Sequence, residues 1–139
     1  MTDAVVAASP DASVRDIAVL MRERQVGSVV LVSETGAPAG FITDRDLALS
    51  VVAEGRSSSD RAAEHASTPV ITAEPDMEIE EAAHRMVRHG VRRLVVVSGG
   101  AAAGIVTLDD LASRGLEPEL ASRVTRAVLP AYFFHARGG

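Results

Sequence analysis

The chain has 139 residues, a formal net charge of −5, 47% hydrophobic residues and 24% charged residues. This length and composition indicate an ordered domain with its own core, and the acidic balance argues against general nucleic-acid binding. The chain has no cysteine and all 14 basic residues are arginine, which excludes disulfides, thiol nucleophiles and lysine Schiff bases. No apolar run reaches the ~18 residues that span a bilayer and no signal peptide is visible, so we expect a cytoplasmic protein with no membrane contact.

The first half of the chain predicts a strand, a helix, two strands and a second helix. Val14, Ile17, Ala18 and Met21 recur at helical spacing after a Pro-Asp turn, so one face of this helix is apolar. The β-branched run Ser28–Val32 predicts a buried strand. The other elements are predicted as strands at 5–7 and 39–43 and as a helix from 44 to about 53.

The second half predicts the same order of elements. Ile79, Ala83, Met86 and Val87 mark its first helix. A polar segment at 55–60 joins the halves, and one helical turn is predicted at 60–65. Strands are predicted at 70–72, 94–97 and 104–106, and a short helix at Leu108–Ser113.

A different segment follows the two halves. Pro118 stands at a first-turn position of a predicted helix, where its missing N–H costs nothing, and an apolar stripe runs from Leu120 through Val124 to Val128. Pro130 is predicted to end this helix. The adjacent aromatic residues Tyr132, Phe133 and Phe134 then either pack on their own domain or contact a second chain.

The two halves are copies of each other. The stretch from Pro10 to Val32 aligns with Pro75 to Val97, 65 positions later, and after a one-residue deletion 40–47 aligns with 104–111. Apolar residues match where packing needs them, as in Met21/Met86. A unit too small to fold alone implies two halves packed on each other, and the cleft between them is a natural ligand site.

Both copies carry Thr-x-x-Asp at the junction of a strand and a helix. These residues are Thr43/Asp46 and Thr107/Asp110. One interpretation is a capping box, in which each threonine caps the helix and each aspartate reaches back to the threonine backbone. The other is a ligand site, because a helix N-terminus suits a phosphate and a carboxylate accepts hydrogen bonds from ribose hydroxyls. The two roles are compatible.

At this point the sequence resembles the tandem cystathionine β-synthase (CBS) domains that form a Bateman module. The resemblance covers about residues 1–114 and rests on the matched segments just described. These include Met1-Thr2 before Val5-Val6, Ser67-Thr68-Pro69 before Val70-Ile71, Gly27 and Gly90, the Arg92 to Val97 strand, and both Gly-x-x-Thr-x-x-Asp stretches. The resemblance implies an α/β (α+β) fold of two βαββα repeats related by a pseudo-two-fold axis. We expect repeats at 1–54 and 67–114, a linker at 55–66, and a C-terminal helix and tail at 115–139.

The resemblance also implies an adenosine-containing ligand such as AMP, ADP, ATP or S-adenosylmethionine, bound in the cleft between repeats. Its aspartates hold the ribose, its threonines and nearby basic groups hold the phosphate, and adenine lies against the opening strand of the other repeat. Carried over, one site would combine Thr43, Arg45 and Asp46 with Pro69, Val70 and Ile71. The other would combine Thr107, Asp109, Asp110 and Arg92 with Thr2, Val5 and Val6.

The two sites are not expected to be equal. Arg45 offers a guanidinium that grips phosphate bidentately, whereas Asp109 occupies the matching place and repels it. Family members often carry a helix before the Met-Thr position, so we expect a less complete wall around Thr2, Val5 and Val6. We therefore predict that the Asp46 site binds nucleotide better.

Other chemistries fit the sequence less well. The histidines lack metal-ligand spacing and are expected to be exposed, so no metal site is predicted. Neighbouring acids at the helix starts complement the helix dipole, and no catalytic residue is predicted. The arginines at 85, 88, 92 and 93 fall on different elements without interleaved aromatics, which favours a solvated face over a nucleic-acid patch.

Two functions remain. The first is a regulatory sensor, not an enzyme, that binds an adenine nucleotide and signals to an unidentified protein partner. The second is a structural, dimerisation or interaction module without a ligand. Modules of this family commonly pair, and exposed apolar helix faces give a homodimer a physical basis.

Overall fold

Two copies of one structural plan make up the part of the chain that the structure describes. The structure is a computed structural model that describes residues 5–138, with side chains for residues 5–128. The first sheet has the order β1 (Ala7–Ala8), β2 (Ser28–Val32), β3 (Pro38–Thr43), and the second has the order β4 (Thr72–Ala73), β5 (Arg93–Ser98), β6 (Ala101–Thr107). In each sheet the first strand pairs parallel and the last antiparallel to the central strand.

The helices follow the same duplication. Helix α1 spans Val14–Arg24 and its copy α3 spans Ile79–His89; α2 (Asp44–Asp46) and α4 (Leu108–Ser113) follow the last strand of each repeat. A 3₁₀ turn at Ala62–Glu64 lies between the repeats, and α5 spans Pro118–Gly138. The predicted α+β fold of two βαββα repeats with a C-terminal helix is confirmed.

The strand register repeats as closely as the sequence. Ser28 pairs with Thr43 in the first repeat, and Arg93 pairs with Thr107 in the second. Each antiparallel pair has an irregularity at the same place, between Leu31 and Val32 and between Val96 and Val97. The duplication therefore preserves the local distortion of each sheet as well as its pairing.

The predicted opening strands begin too early in the chain. The observed ladders are Ala7–Ala8 and Thr72–Ala73, two residues beyond the predicted starts at 5 and 70. Before them, only single bonds join the sheet, from Val30 N–H to the Val6 carbonyl (3.0 Å) and from Val95 N–H to the Ile71 carbonyl (3.1 Å). The residues at these starts are therefore outside the regular ladder.

The helix predicted at 44–53 is not a uniform α-helix. Helix α2 changes at Leu47–Val52 into a π-helix, and the Ala53 N–H donates to the Ala48 carbonyl five residues earlier at 2.9 Å. Hydrophobic periodicity cannot distinguish these helix types, because both place apolar residues on one face over so short a segment.

The C-terminal helix is longer than predicted. Because α5 spans Pro118–Gly138, Pro130 lies inside this helix and does not end it. A proline inside a helix removes one backbone hydrogen bond and crowds the carbonyl four residues earlier, which is why the sequence predicted an end there. The first part of α5 is anchored by Leu120 and Val124, which are buried in the second core. The side chains of Tyr132, Phe133 and Phe134 lie outside the described residues.

Each repeat has its own hydrophobic core between its helix and its central strand. In the first, Ile17 and Met21 of α1 pack with Val29 and Leu31 of β2. In the second, Ala83 and Met86 of α3 pack with Leu94 and Val96 of β5, and α5 adds Leu120 and Val124. Among the described residues, no helix has the combination of length and apolarity that crossing a bilayer requires.

His65 is buried, contrary to the expectation that the histidines are exposed. Only 1% of its side chain is accessible. Its Nδ1 lies 2.6 Å from Ser50 Oγ, and its Nε2 lies 2.9 Å from Asp60 Oδ2. Asp60 Oδ2 also forms an ion pair with Arg56 Nη2 at 3.0 Å. These contacts satisfy both ring nitrogens and tie the segment between the repeats to the π-helix.

We predict that His65→Ala lowers the free energy of unfolding by about 1–3 kcal/mol, because it removes a buried imidazole and its hydrogen bonds to the partly buried Ser50 and Asp60. Urea denaturation followed by circular dichroism measures this change. The control is His84→Ala on the exposed face of α3, for which we expect a change within about 0.5 kcal/mol. Equal effects of the two substitutions would contradict a structural role for the His65 network.

Candidate functional site

A cavity of about 430 Å³ opens beside the Thr107 motif, between the second repeat and residues of the first. Its walls come from the segment before β4, the start of β5, the junction of β6 with α4, one residue of β3 and one residue of α5. The lining residues are Phe41, Ser67, Pro69, Val70, Ile71, Val91, Arg92, Arg93, Val95, Thr107, Leu108, Asp109 and Val128.

The cavity lies on the face of the second sheet opposite helix α3. Successive side chains of a strand point to opposite faces. In β5, Leu94 and Val96 belong to the core under α3, whereas Val95 between them lines the cavity. Because all three are at least 97% buried, the central strand is covered on both faces, and the cavity forms within the second cover.

Backbone pairing between the repeats forms the edge of this cavity. Phe41 of β3 and Ser67 exchange two hydrogen bonds, with N···O distances of 3.1 and 2.8 Å. The guanidinium of Arg93 lies 5.9 Å from the centroid of the Phe41 ring, within the range of a cation–π contact. These contacts bring a first-repeat aromatic ring to a site built mainly from the second repeat.

Both Thr-x-x-Asp motifs form capping boxes. In the second, Asp110 N–H donates to Thr107 Oγ1 at 3.1 Å and Thr107 N–H donates to Asp110 Oδ2 at 2.8 Å. In the first, the equivalent distances between Thr43 and Asp46 are 3.1 and 2.9 Å. The capping interpretation is therefore correct for both copies. It leaves capacity for a ligand, because a carboxylate has about four acceptor sites and one backbone bond uses one of them.

The charged residues that line the cavity are exposed to solvent. Arg92 Nη2 is 3.8 Å from Asp109 Oδ1, and the Asp109 side chain is 90% exposed. An ion pair this open to solvent contributes little stability, so either partner can turn toward a ligand at small cost. The cavity thus combines apolar lining residues with two guanidinium groups and one carboxylate that are open to solvent.

The structure changes the predicted pairing of the motifs. We expected Pro69, Val70 and Ile71 to face the Thr43 motif of the other repeat, but they line the same cavity as Thr107, Asp109 and Arg92. The reason is the sheet order, since β4 and β6 flank the same central strand β5. The opening segment and the Thr-x-x-Asp junction of one repeat are therefore neighbours. Asp110 lies one helical position beyond the lining residue Asp109.

The first motif occupies the equivalent place in its own repeat. Thr43 and Asp46 cap α2, and Arg45 follows Asp44 there. Gly27 occupies the position of Arg92, and a Cβ added there would lie 3.0 Å from Asp44 Oδ2. Val5 and Val6 are partly buried, Val6 against the first core, while Thr2 lies outside the described residues. The ligand-binding roles of these residues stay predictions.

Seven lining residues were not predicted as site residues from the sequence, namely Phe41, Ser67, Val91, Arg93, Val95, Leu108 and Val128. Phe41 and Arg93 pair across the repeat boundary, and Val128 belongs to α5, outside the repeats. The sequence contained signals for two of these residues, because Arg93 belongs to the Arg92-Arg93 pair and Val128 belongs to the apolar stripe of α5. Nothing in the spacing of these residues indicated that they meet at one cavity, because their proximity depends on how the elements pack.

Within residues 5–128, where side chains are described, no group of three or more His, Asp or Glu residues has metal-binding geometry.

Comparison with known proteins identifies the repeats. The family model described as "CBS domain" matches residues 1–53 and 62–117, so each match contains one structural repeat. The chain is 43% identical over 122 residues to an uncharacterized protein of Methanopyrus kandleri, covering 86% of this chain and 61% of that relative. It is 37% identical over 121 residues to the CBS domain-containing protein YhcV of Bacillus subtilis, covering 87% and 86% of the two chains.

The structural comparison agrees with the sequence comparison. A CBS domain protein from Pyrobaculum aerophilum, solved in complex with AMP, aligns with a TM-score of 0.72 and 26% sequence identity. The alignment covers 91% of this chain and 95% of that one.

We predict that Asp110→Ala lowers the free energy of unfolding by about 0.5–2 kcal/mol without any ligand present, because the Thr107 N–H loses its partner in the capping box. Thermal and urea denaturation measure this loss. Asp109→Ala is the matched control, since the Asp109 carboxylate is exposed and makes only the loose pair with Arg92. A loss for Asp109→Ala as large as that for Asp110→Ala would argue against the capping role.

Proposed function

Because the chain belongs to the CBS-domain family, we propose that it is a regulatory protein that binds an adenosine-containing ligand in the cavity beside Thr107. Occupancy of the cavity would then be signalled to a protein partner through a change in conformation. Such a signal requires that the ligand bind two conformations with different affinities.

The single observation that carries this proposal is the composition of the cavity. Its volume of about 430 Å³ falls in the ~300–1,000 Å³ range of small-molecule sites. Val70, Ile71 and Val95 offer an apolar wall for a base, and the Phe41 ring offers a stacking surface. We propose that the Thr107 hydroxyl and the unused acceptor sites of Asp110 meet the ribose and phosphate, with Arg92 supplying positive charge.

The relative from Pyrobaculum aerophilum, which was solved in complex with AMP, supports this choice of ligand class. AMP, ADP, ATP and S-adenosylmethionine share the adenosine group that an apolar wall and a ribose-binding carboxylate would recognise. They differ in charge at the 5′ position, where Arg92 would attract a negatively charged group and Asp109 would repel it. A comparison of the four compounds therefore separates them by 5′ charge.

A second candidate function is a structural or interaction module without a ligand. The capping boxes favour it, because Thr107 Oγ1 and Asp110 Oδ2 already have partners within the protein. On this alternative the cavity is only the gap left where the two repeats and α5 meet, and no adenine compound binds.

We predict that at least one of AMP, ADP, ATP and S-adenosylmethionine raises the melting temperature of the protein, because a ligand that binds only the folded state stabilises it. Val70→Trp, which places an indole in the cavity, is expected to weaken binding at the Thr107 site about tenfold or more in isothermal titration calorimetry, and to leave binding at the Asp46 motif unchanged. Val52→Trp is the control, because Val52 is 76% exposed and away from the cavity lining. Absence of binding by the whole panel would favour the interaction module.

We also propose that the two Thr-x-x-Asp motifs bind nucleotide unequally, with the Asp46 motif the tighter because Arg45 replaces the acidic residue found at 109. Titration of Asp46→Ala and Asp110→Ala with AMP and ATP tests this. Both variants lose an equivalent capping box, so a difference in affinity reflects ligand contacts. Equal losses of affinity in the two variants would contradict the proposal. A larger loss for Asp110→Ala would show that the Asp110 motif binds more tightly. The difference would then be assigned to Arg92, whose equivalent in the first repeat is Gly27.

A further inference from the structure

We infer that helix α5 is part of the ligand-binding surface, through Val128, and that it couples occupancy of the cavity to the C-terminal end of the chain. This inference rests on the proposed function, since it assumes that the cavity beside Thr107 takes an adenosine-containing ligand. It goes beyond that function because α5 follows the second repeat, whose family match ends at residue 117.

One face of α5 leads continuously from the hydrophobic core to the cavity. Leu120, Val124 and Val128 are spaced four residues apart, so they lie along one side of the helix. Leu120 is 9% exposed and Val124 is fully buried, both within the second core. Val128, one turn further, is partly buried and lines the cavity. The same apolar stripe therefore packs on protein at its start and faces the cavity at its end.

The position of α5 is constrained just before it reaches the cavity. A Cβ added to Gly90 would lie 3.2 Å from the Ala127 carbonyl oxygen, so the backbones of α3 and α5 approach closely there. Gly90 also ends α3 with a φ of 64°, which a residue with a side chain rarely adopts. The next residue, Val91, also lines the cavity.

A ligand in the cavity would extend the buried surface of α5 by one turn. Without it, Val128 has protein on only part of its surface; with it, an apolar group of the ligand covers the remainder. The ligand then binds more tightly to the chain with α5 in place than to the chain with this turn displaced, so binding shifts the population toward the docked helix. By reciprocity, a partner that pulls the C-terminal segment away weakens ligand binding.

Hydrogen exchange of the full chain, with and without saturating AMP and in parallel arms ADP, ATP and S-adenosylmethionine, tests the coupling. At a concentration of 100 times Kd, exchange of the backbone amides from residue 125 onward is expected to slow by up to about 100-fold, the limit that linkage sets. In the same protein, Val128→Trp is expected to weaken binding about tenfold, since the indole occupies space that the ligand needs.

Arg126→Trp is the matched control, because Arg126 is exposed and lies about 200° around the helix from Val128. It should leave both the affinity and the exchange rates unchanged. Val128→Ala keeps the helix and removes only the contact, so it should reduce the ligand-induced protection of α5 even if Val128→Trp fails to fold.

The outcomes separate the two proposals. If the wild-type chain binds none of AMP, ADP, ATP and S-adenosylmethionine, the proposed function and this inference both fail. If it binds, but Val128→Ala and Val128→Trp bind as the wild type does and exchange in α5 is unaffected by ligand, the proposed function survives and the role of α5 is overturned.

Discussion

The structure depends on the burial of each central strand on both faces. Val29, Val30 and Leu31 of β2 and Leu94, Val95 and Val96 of β5 are each no more than 3% exposed. A three-stranded sheet cannot cover its own faces, so each repeat requires a helix on one side and further structure on the other. The helix comes from within the repeat. On the other face of the second sheet lies the cavity, to which Phe41 of the first repeat contributes.

The same constraint places polar chemistry at the rim of an apolar cavity. Strands β3 and β6 end at Thr43 and Thr107, and each threonine immediately starts a helix through a capping box. The helix N-terminus therefore opens toward the edge of the sheet, next to the segment that enters β1 or β4. In the second repeat this arrangement brings Thr107 and Ile71 to one cavity. Thr107 and Asp110 can therefore stabilise the start of α4 and still offer atoms to a ligand.

The two repeats have diverged around this shared frame. The first motif has Gly27 and Arg45 where the second has Arg92 and Asp109, so each junction retains one arginine at a different position. Within residues 5–128, the hydrogen bonds of His65 have no equivalent in the second repeat, where α5 instead extends the hydrophobic core. Divergence therefore affects both the charge near each motif and the element that covers each core, while strand register and bulges are retained.

The sequence alone determined the repeat, the order of elements and both Thr-x-x-Asp junctions, because these follow from local periodicity and from short-range capping chemistry. Ser28–Val32 and Leu108–Ser113 were predicted at their observed bounds for this reason. Only the tertiary structure decided which segments share a cavity. The order β4-β5-β6 joined Thr107 to Pro69, Val70 and Ile71, the repeat boundary added Phe41, and the path of α5 added Val128. These contacts join residues far apart in the chain, and their geometry depends on packing that no local pattern encodes.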